Sequence, residues 1–195
     1  MRHRKRGRVL GRSPSHRKAL LKNLASALIL TERNAEDEEA PPKVKGRIVT
    51  TLHKAKEVRP LIEKCVTIAR DSLADIEVAS EHGTESPRNS AEWKQWRKSE
   101  RWSKWAAAMA PAVEARRRLN RLLGDKQAVK ILVTEIAPRF KDRHGGYTRI
   151  VRLAKPRLGD AGTRAVIEFV GVRDRKVEKS QRPSFGEEET AQSAS

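Results

Sequence analysis

The chain has a single cysteine, Cys65, in 195 residues. That excludes an intramolecular disulfide and any multi-cysteine zinc site. No window of 18 apolar residues occurs, which excludes a membrane-spanning helix. No apolar core followed by a small-residue cleavage site marks a secretory signal. The basic start also fits a transit peptide, but an apolar stripe continues from it to Leu28 and favours an integral part of the fold. The histidines (His3, His16, His53, His82, His144) are scattered through basic or loop contexts, and none has the i, i+4 spacing of a helical metal pair. There is no phosphate-loop or dinucleotide glycine fingerprint. Acidic residues gather in loops and in the tail, not as a pair on a buried face. These absences predict a protein that is not an enzyme and uses no cofactor, metal or small-molecule substrate.

What is present is positive charge. Lysine and arginine number 43 against 25 acids, a formal charge of +18. Each phosphate such a surface neutralises releases condensed counterions, so affinity for a polyanion is large and salt-dependent. Residues 1–12 contain Arg2, His3, Arg4, Lys5, Arg6, Arg8 and Arg12 and no acid. An arm of that composition has too little apolar surface to offset its ordering entropy, and is expected to be flexible until it meets a polyanion.

Beyond the arm the pattern is helical. Leu20, Leu21, Leu24, Ala27, Leu28 and Thr31 predict one apolar stripe, with Ser13 as cap and Pro14 at the first position. Residues 32–42 invert the charge and end in paired prolines, which predicts a solvated acidic loop. Residues 47–52 are short and β-branched, hence a strand. Thr50 or Thr51 then caps a helix to about Arg70, with Val58, Leu61, Ile62, Cys65 and Ala69 on its buried face. Pro60 within it predicts a kink or a late start, and Cys65 reads as a small core hydrophobe. Residues 81–90 are turn formers. The following stretch holds all four tryptophans, Trp93, Trp96, Trp102 and Trp105, interleaved with Lys94, Arg97, Lys98, Arg101 and Lys104. Indoles stacking on bases and indoles packing a small satellite core both fit that pattern. Pro111 is expected to divide two helices, Gly124 to end the second, and Asp125 to cap another that Pro138 stops. Gly145 and Gly146 predict a turn with positive φ. Residues 147–153 and 163–170 predict a hairpin with a long basic tip.

The candidate binding residues follow the charge. The first group is the arm with His16, Arg17, Lys18 and Lys22. The second is Arg139, Arg143, Gly145, Gly146, Tyr147, Arg149 and Arg157, around the turn and the hairpin tip. Arginine dominates, and its planar fork can hold a phosphate bidentately. Tyr147 is read either as a stacking or phosphate-bonding group or as a strand residue half in the core. No helix-turn-helix or zinc finger is evident to enter a DNA major groove, which favours RNA.

The segments MRHRK at 1–5, SHRKALLKNLASAL at 15–28, TTLHKAKEVRP at 50–60, and PRFKDRHGGYTRI at 138–150 with RLGDAGTRAVIEFV at 157–170 together resemble a known family. It is that of the seventeenth protein of the bacterial large ribosomal subunit. The resemblance implies a cytoplasmic, structural ribosomal protein that binds large-subunit ribosomal RNA near the exit of the nascent-chain tunnel, beside other ribosomal proteins. It also implies an α+β fold with helices packed on a small mixed β-sheet. The expected organisation is a basic arm at 1–12, one α+β domain at 13–172, and a disordered tail at 173–195. Two insertions are expected within the domain, an acidic loop at 32–45 and a Trp-rich helical segment at 71–115. A free RNA- or nucleoid-binding module is the alternative reading, and an RNA-processing enzyme a further one.

Overall fold

The computed structural model describes residues 7–34 and 41–171. Arg2, His3, Arg4, Lys5 and Arg6, the middle of the acidic loop and the tail expected at 173–195 lie outside the described residues.

Helix α1 (Pro14–Leu30) starts as its sequence dictates: the Ser13 side chain accepts from the His16 N–H, and Pro14 occupies the first turn. The buried positions are Ala25, Ser26, Leu28 and Ile29, while Ala27 faces solvent. The end of this helix is apolar on nearly every side, so spacing alone left its inner face undetermined. Thr31 closes the helix. Its hydroxyl donates to the Leu28 carbonyl at 2.6 Å and accepts from the Gly46 N–H at 3.0 Å, joining the helix end to the entry of the first strand. At Gly46 φ is +74°, and a Cβ there would lie 2.6 Å from Glu32 Oε1, so only glycine fits without displacement.

Strand β1 (Arg47–Thr51) leads directly into α2 (Leu52–Ser80). A loop, the short α3 (Ala91–Lys98) and α4 (Glu100–Leu123) follow, and α4 packs back along α2. Gly124, at φ +76°, terminates α4. Asp125 Oδ1 then accepts from the Gln127 and Ala128 N–H groups to start α5 (Lys126–Ile131). A π-helical turn over Leu132–Ile136 and the brief α6 (Ala137–Arg139) prolong α5 to Phe140. The hairpin is β2 (Thr148–Arg152) and β3 (Arg164–Phe169).

The α+β class expected from the sequence is present. The sheet, however, is antiparallel where a mixed one was expected. Its order is β1-β3-β2, and both ladders are antiparallel. The reason is that β3 takes the central position and keeps the two like-directed strands apart. Ile48 and Ile150 both oppose Ile167, and this row faces the helices. The alternate row, Val49, Val166 and Val151, lies on the outer face.

The late start expected at Pro60 and the division expected at Pro111 are not found. Neither Pro60 nor Pro111 divides its helix. Each removes one backbone hydrogen bond, to Lys56 and Ala107 respectively, but both carbonyls belong to exposed residues that water can reach. A proline in a helix interior costs about 3 kcal/mol, whereas each fully buried aliphatic side chain contributes about 1.5–3 kcal/mol. Val58, Ile62, Val66 and Ala69 keep α2 continuous. Cys65 is fully buried among them, and burial pushes its thiol up to about 12, in keeping with a core hydrophobe.

Candidate nucleic-acid interface

The end of the arm, the start of α2 and the β2–β3 connection meet in a cleft of about 490 Å³. The cleft follows from local structure. Arg12 donates from its backbone N–H to the Val9 carbonyl and from NH1 to the Leu10 carbonyl at 2.8 Å. These bonds curl the arm into a turn that holds Leu10 at φ +54°. Arg8 anchors it to α2 through Glu57 at 3.1 Å. On the opposite wall the Leu52 N–H donates to the Thr163 carbonyl at 3.0 Å, fixing the α2 start to the hairpin.

The lining is Arg8, Leu10, Arg12, Thr51, His53, Lys54, Arg157, Asp160, Gly162 and Thr163. Its electrostatics favour an anion. The first turn of α2 has no acidic residue, and Thr51 provides no side-chain cap. The positive end of the helix dipole therefore meets no capping side chain and no acid of its own first turn at the cleft. Arg12 Nε is buried with no hydrogen-bond partner among the described residues, a donor that costs about 1–3 kcal/mol until an acceptor reaches it. Arg157 is held by Asp160, with Nε 2.9 Å from Oδ1 and NH2 on Oδ2. The Arg157 guanidinium, helped by the Gly162 N–H, holds the Asp160 carboxyl well below the usual carboxylate range.

The structure thus brings Arg157 to Arg8 and Arg12, joining parts of both groups expected from the sequence. His53 and Lys54 were missed as candidates, although two basic side chains opening a helix whose first turn has no acid are a legible signal for an anion. His16, Arg17, Lys18 and Lys22 lie on the first half of α1. Lys22 donates to the Arg121 carbonyl at 2.8 Å. That bond sets α1 beside the end of α4, where Arg116, Arg117, Arg118 and Arg121 are exposed. No carboxylate pairs with His16, Arg17 or Lys18 among the described residues.

The remaining candidates do not line the cleft. Arg139 pairs with Glu32 at 2.9 Å and Arg149 with Glu168 at 2.6 Å. Arg143 Nε donates to the Gly145 carbonyl at 3.1 Å, and Gly145 and Gly146 have φ of +136° and +63°, as expected of the turn. Of the two readings of Tyr147, its burial favours the core one over the stacking or phosphate-bonding one. It is 1% exposed, its ring centroid lies 5.1 Å from that of Phe140, and its hydroxyl accepts from Arg70 NH1 at 3.0 Å. No ring face is left for a base. Arg70 and Glu63 escaped the sequence reading although they organise this loop. Arg70 NH1 also donates to the Arg143 carbonyl at 2.8 Å, and Glu63 accepts from the backbone of Tyr147 and Thr148.

Comparison with known proteins gives a consistent result. Residues 20–170 match the family model described as Ribosomal protein L17. The chain is 61% identical over 185 residues to the "Large ribosomal subunit protein bL17" of Rhodopirellula baltica, covering 95% of this chain and 88% of that relative. It is 39% identical over 170 residues to the protein of the same name from Campylobacter jejuni strain 81-176, covering 87% and 99%. With the Nitratidesulfovibrio vulgaris protein of that name the identity is 36% over 170 residues, covering 87% of each.

Proposed function

The chain belongs to the ribosomal protein L17 family, and from that premise we propose that it is a structural constituent of the bacterial large ribosomal subunit. It binds large-subunit ribosomal RNA by neutralising phosphates and filling the space between RNA segments. Its place is near the exit of the nascent-chain tunnel, beside neighbouring ribosomal proteins, on cytoplasmic ribosomes. The observation that carries the RNA-binding reading is the cleft itself. An acid-free arm, an uncapped helix start and an oriented arginine converge there, and a phosphate backbone satisfies all three. The arm at 1–12, the domain at 13–172 and the tail at 173–195 divide the work. The domain and the end of the arm, through Arg8 and Arg12, form the cleft, and the remaining charge of the arm adds to the attraction for RNA. No cofactor, metal or small-molecule substrate enters this mechanism, and no catalytic residue is assigned.

Sedimentation of a cell lysate on a density gradient tests the reading. The protein is expected to travel with the large subunit at low salt and to remain there after a high-salt wash, because contacts of matched shape outlast simple counterion exchange. A protein that strips off, or that runs free of ribosomes throughout, refutes the assignment in favour of a free RNA- or nucleoid-binding module.

A further inference from the structure

All four tryptophans lie at the end of the α2–α4 hairpin remote from the cleft. The 29 residues of α2 separate the two places, roughly 40 Å at 1.5 Å per residue. Two of the indoles have a structural task. Trp96 and Trp105 meet edge to face with centroids 5.5 Å apart, and Trp96 Nε1 donates to the His82 carbonyl at 3.1 Å. The other two, Trp93 and Trp102, are half-exposed and do something different. The Arg97 guanidinium lies over both, 5.1 and 5.9 Å from their centroids. Stacking on two indoles restrains the guanidinium plane without cancelling its charge.

Arg97 is exposed and has no carboxylate partner among the described residues. Lys94 precedes it by three residues and Lys98 follows it directly, the two lysines lying one helical turn apart on α3, also exposed and also without one. Their neighbours are already engaged: Lys104 pairs with Glu100 at 3.2 Å and Arg101 donates to the Glu81 carbonyl. We propose that this tip is a second RNA-docking surface. Arg97 presents its fork to one phosphate, Lys94 and Lys98 take adjacent ones, and the open parts of Trp93 and Trp102 receive an unpaired base. The partner argued for is RNA because three exposed cations without a carboxylate partner among the described residues stand beside two part-open indoles, the pairing of phosphate-neutralising charge and base-stacking rings that single-stranded nucleic acid needs. The inference rests on the ribosomal role proposed above.

The test uses the full-length chain and purified large-subunit ribosomal RNA. Anisotropy of labelled RNA reports all binding, while intrinsic tryptophan fluorescence reports the tip alone. Both signals are expected to change on titration. K94Q/K98Q, which leaves the Arg97 stack intact, is expected to lower the salt slope of binding by about two. K94Q/R97Q/K98Q is expected to abolish the fluorescence change as well. Binding with unchanged fluorescence and an unchanged slope in both variants overturns the tip site and leaves the cleft standing. No binding at all overturns both. Weaker retention on assembled subunits with unchanged affinity for naked RNA assigns the tip to a protein partner and overturns the RNA site.

Discussion

Glu63 is the side chain whose removal tests the packing argument most directly. From the middle of α2 it reaches the start of β2 and accepts three hydrogen bonds. These come from the Tyr147 N–H at 3.0 Å, the Thr148 N–H at 2.9 Å and the Thr148 hydroxyl at 2.6 Å. Both donor residues are buried, Tyr147 at 1% exposure and Thr148 at 3%. Glu63→Ala leaves these donors with no protein acceptor in a place water enters poorly. At about 1–3 kcal/mol for each buried donor left unpaired, and allowing some relaxation, the expected loss is about 3–5 kcal/mol. For a chain of this size that lowers the melting temperature by roughly 6–20 °C. Glu63→Gln keeps one carbonyl oxygen for Thr148 but turns an amide toward a donor, so its loss is expected to fall between the alanine variant and wild type. Urea unfolding followed by circular dichroism measures both. An alanine variant within about 1 kcal/mol of wild type refutes the reasoning, because it shows the strand start held by other contacts.

Deleting residues 1–12 is expected to flatten the salt dependence of RNA binding by at most about five in slope, since six lysines and arginines leave. The fold should survive, because the main ion pair lost, Arg8 with Glu57, is partly exposed and such pairs are worth about 0–1 kcal/mol. An unchanged slope sinks the role given to the arm. The Asp160 carboxyl sits below its ordinary value because Arg157 bonds its ionised form. Its contribution to stability is therefore present above the unfolded carboxylate range and is lost as pH falls through the lowered folded value. Carboxyl-resolved NMR titration should find it still ionised where other exposed carboxylates have protonated, and Asp160→Asn should abolish that signal and tighten RNA binding modestly, because Arg157 then meets a phosphate without first leaving a carboxylate. Cys65 should resist iodoacetamide at pH 8 in the folded chain and react once unfolded, since burial suppresses its thiolate. Equal rates in both states would remove it from the core.

Much of the fold was legible where a local rule decides. Ser13 with Pro14, Gly124 with Asp125, the Gly145-Gly146 turn and the alternating strand residues each specify an element boundary within a few positions, and each is found there. What resisted reading was decided by sums or by distance. The cost of Pro60 and Pro111 is local, while the burial that overrides it is spread along helices of 29 and 24 residues. The Trp pairs follow the same logic. Rotation along one helix separates the first two indoles from the last two, but the chain breaks at Ser99, so Trp96 meets Trp105 and Arg97 meets Trp102 across the break. The acids that hold Arg139, Arg149 and Thr148 lie 107, 19 and 85 positions away in sequence, and no spacing rule connects them.

Charge required the largest revision, because composition counts cations without saying which are engaged. Arg8, Arg139, Arg149 and Arg157 all have carboxylate partners, so the formal +18 overstates the surface that meets a polyanion unaided. Pairing does not retire these residues equally. Glu168 is 7% exposed and lies against Arg149 and Arg47 on the outer face of the sheet. Taking Arg149 from it leaves a buried carboxylate with only the longer Arg47 contact at 3.7 Å, which is unfavourable. Arg157 and Asp160 are each about half exposed, and an exposed pair contributes little net stability. Arg157 can therefore turn from Asp160 to a phosphate at small cost, arriving with its fork already oriented. By that criterion Arg157 at the hairpin tip stays available to an anion, and Arg149, though equally basic in sequence, is a fastening of the sheet.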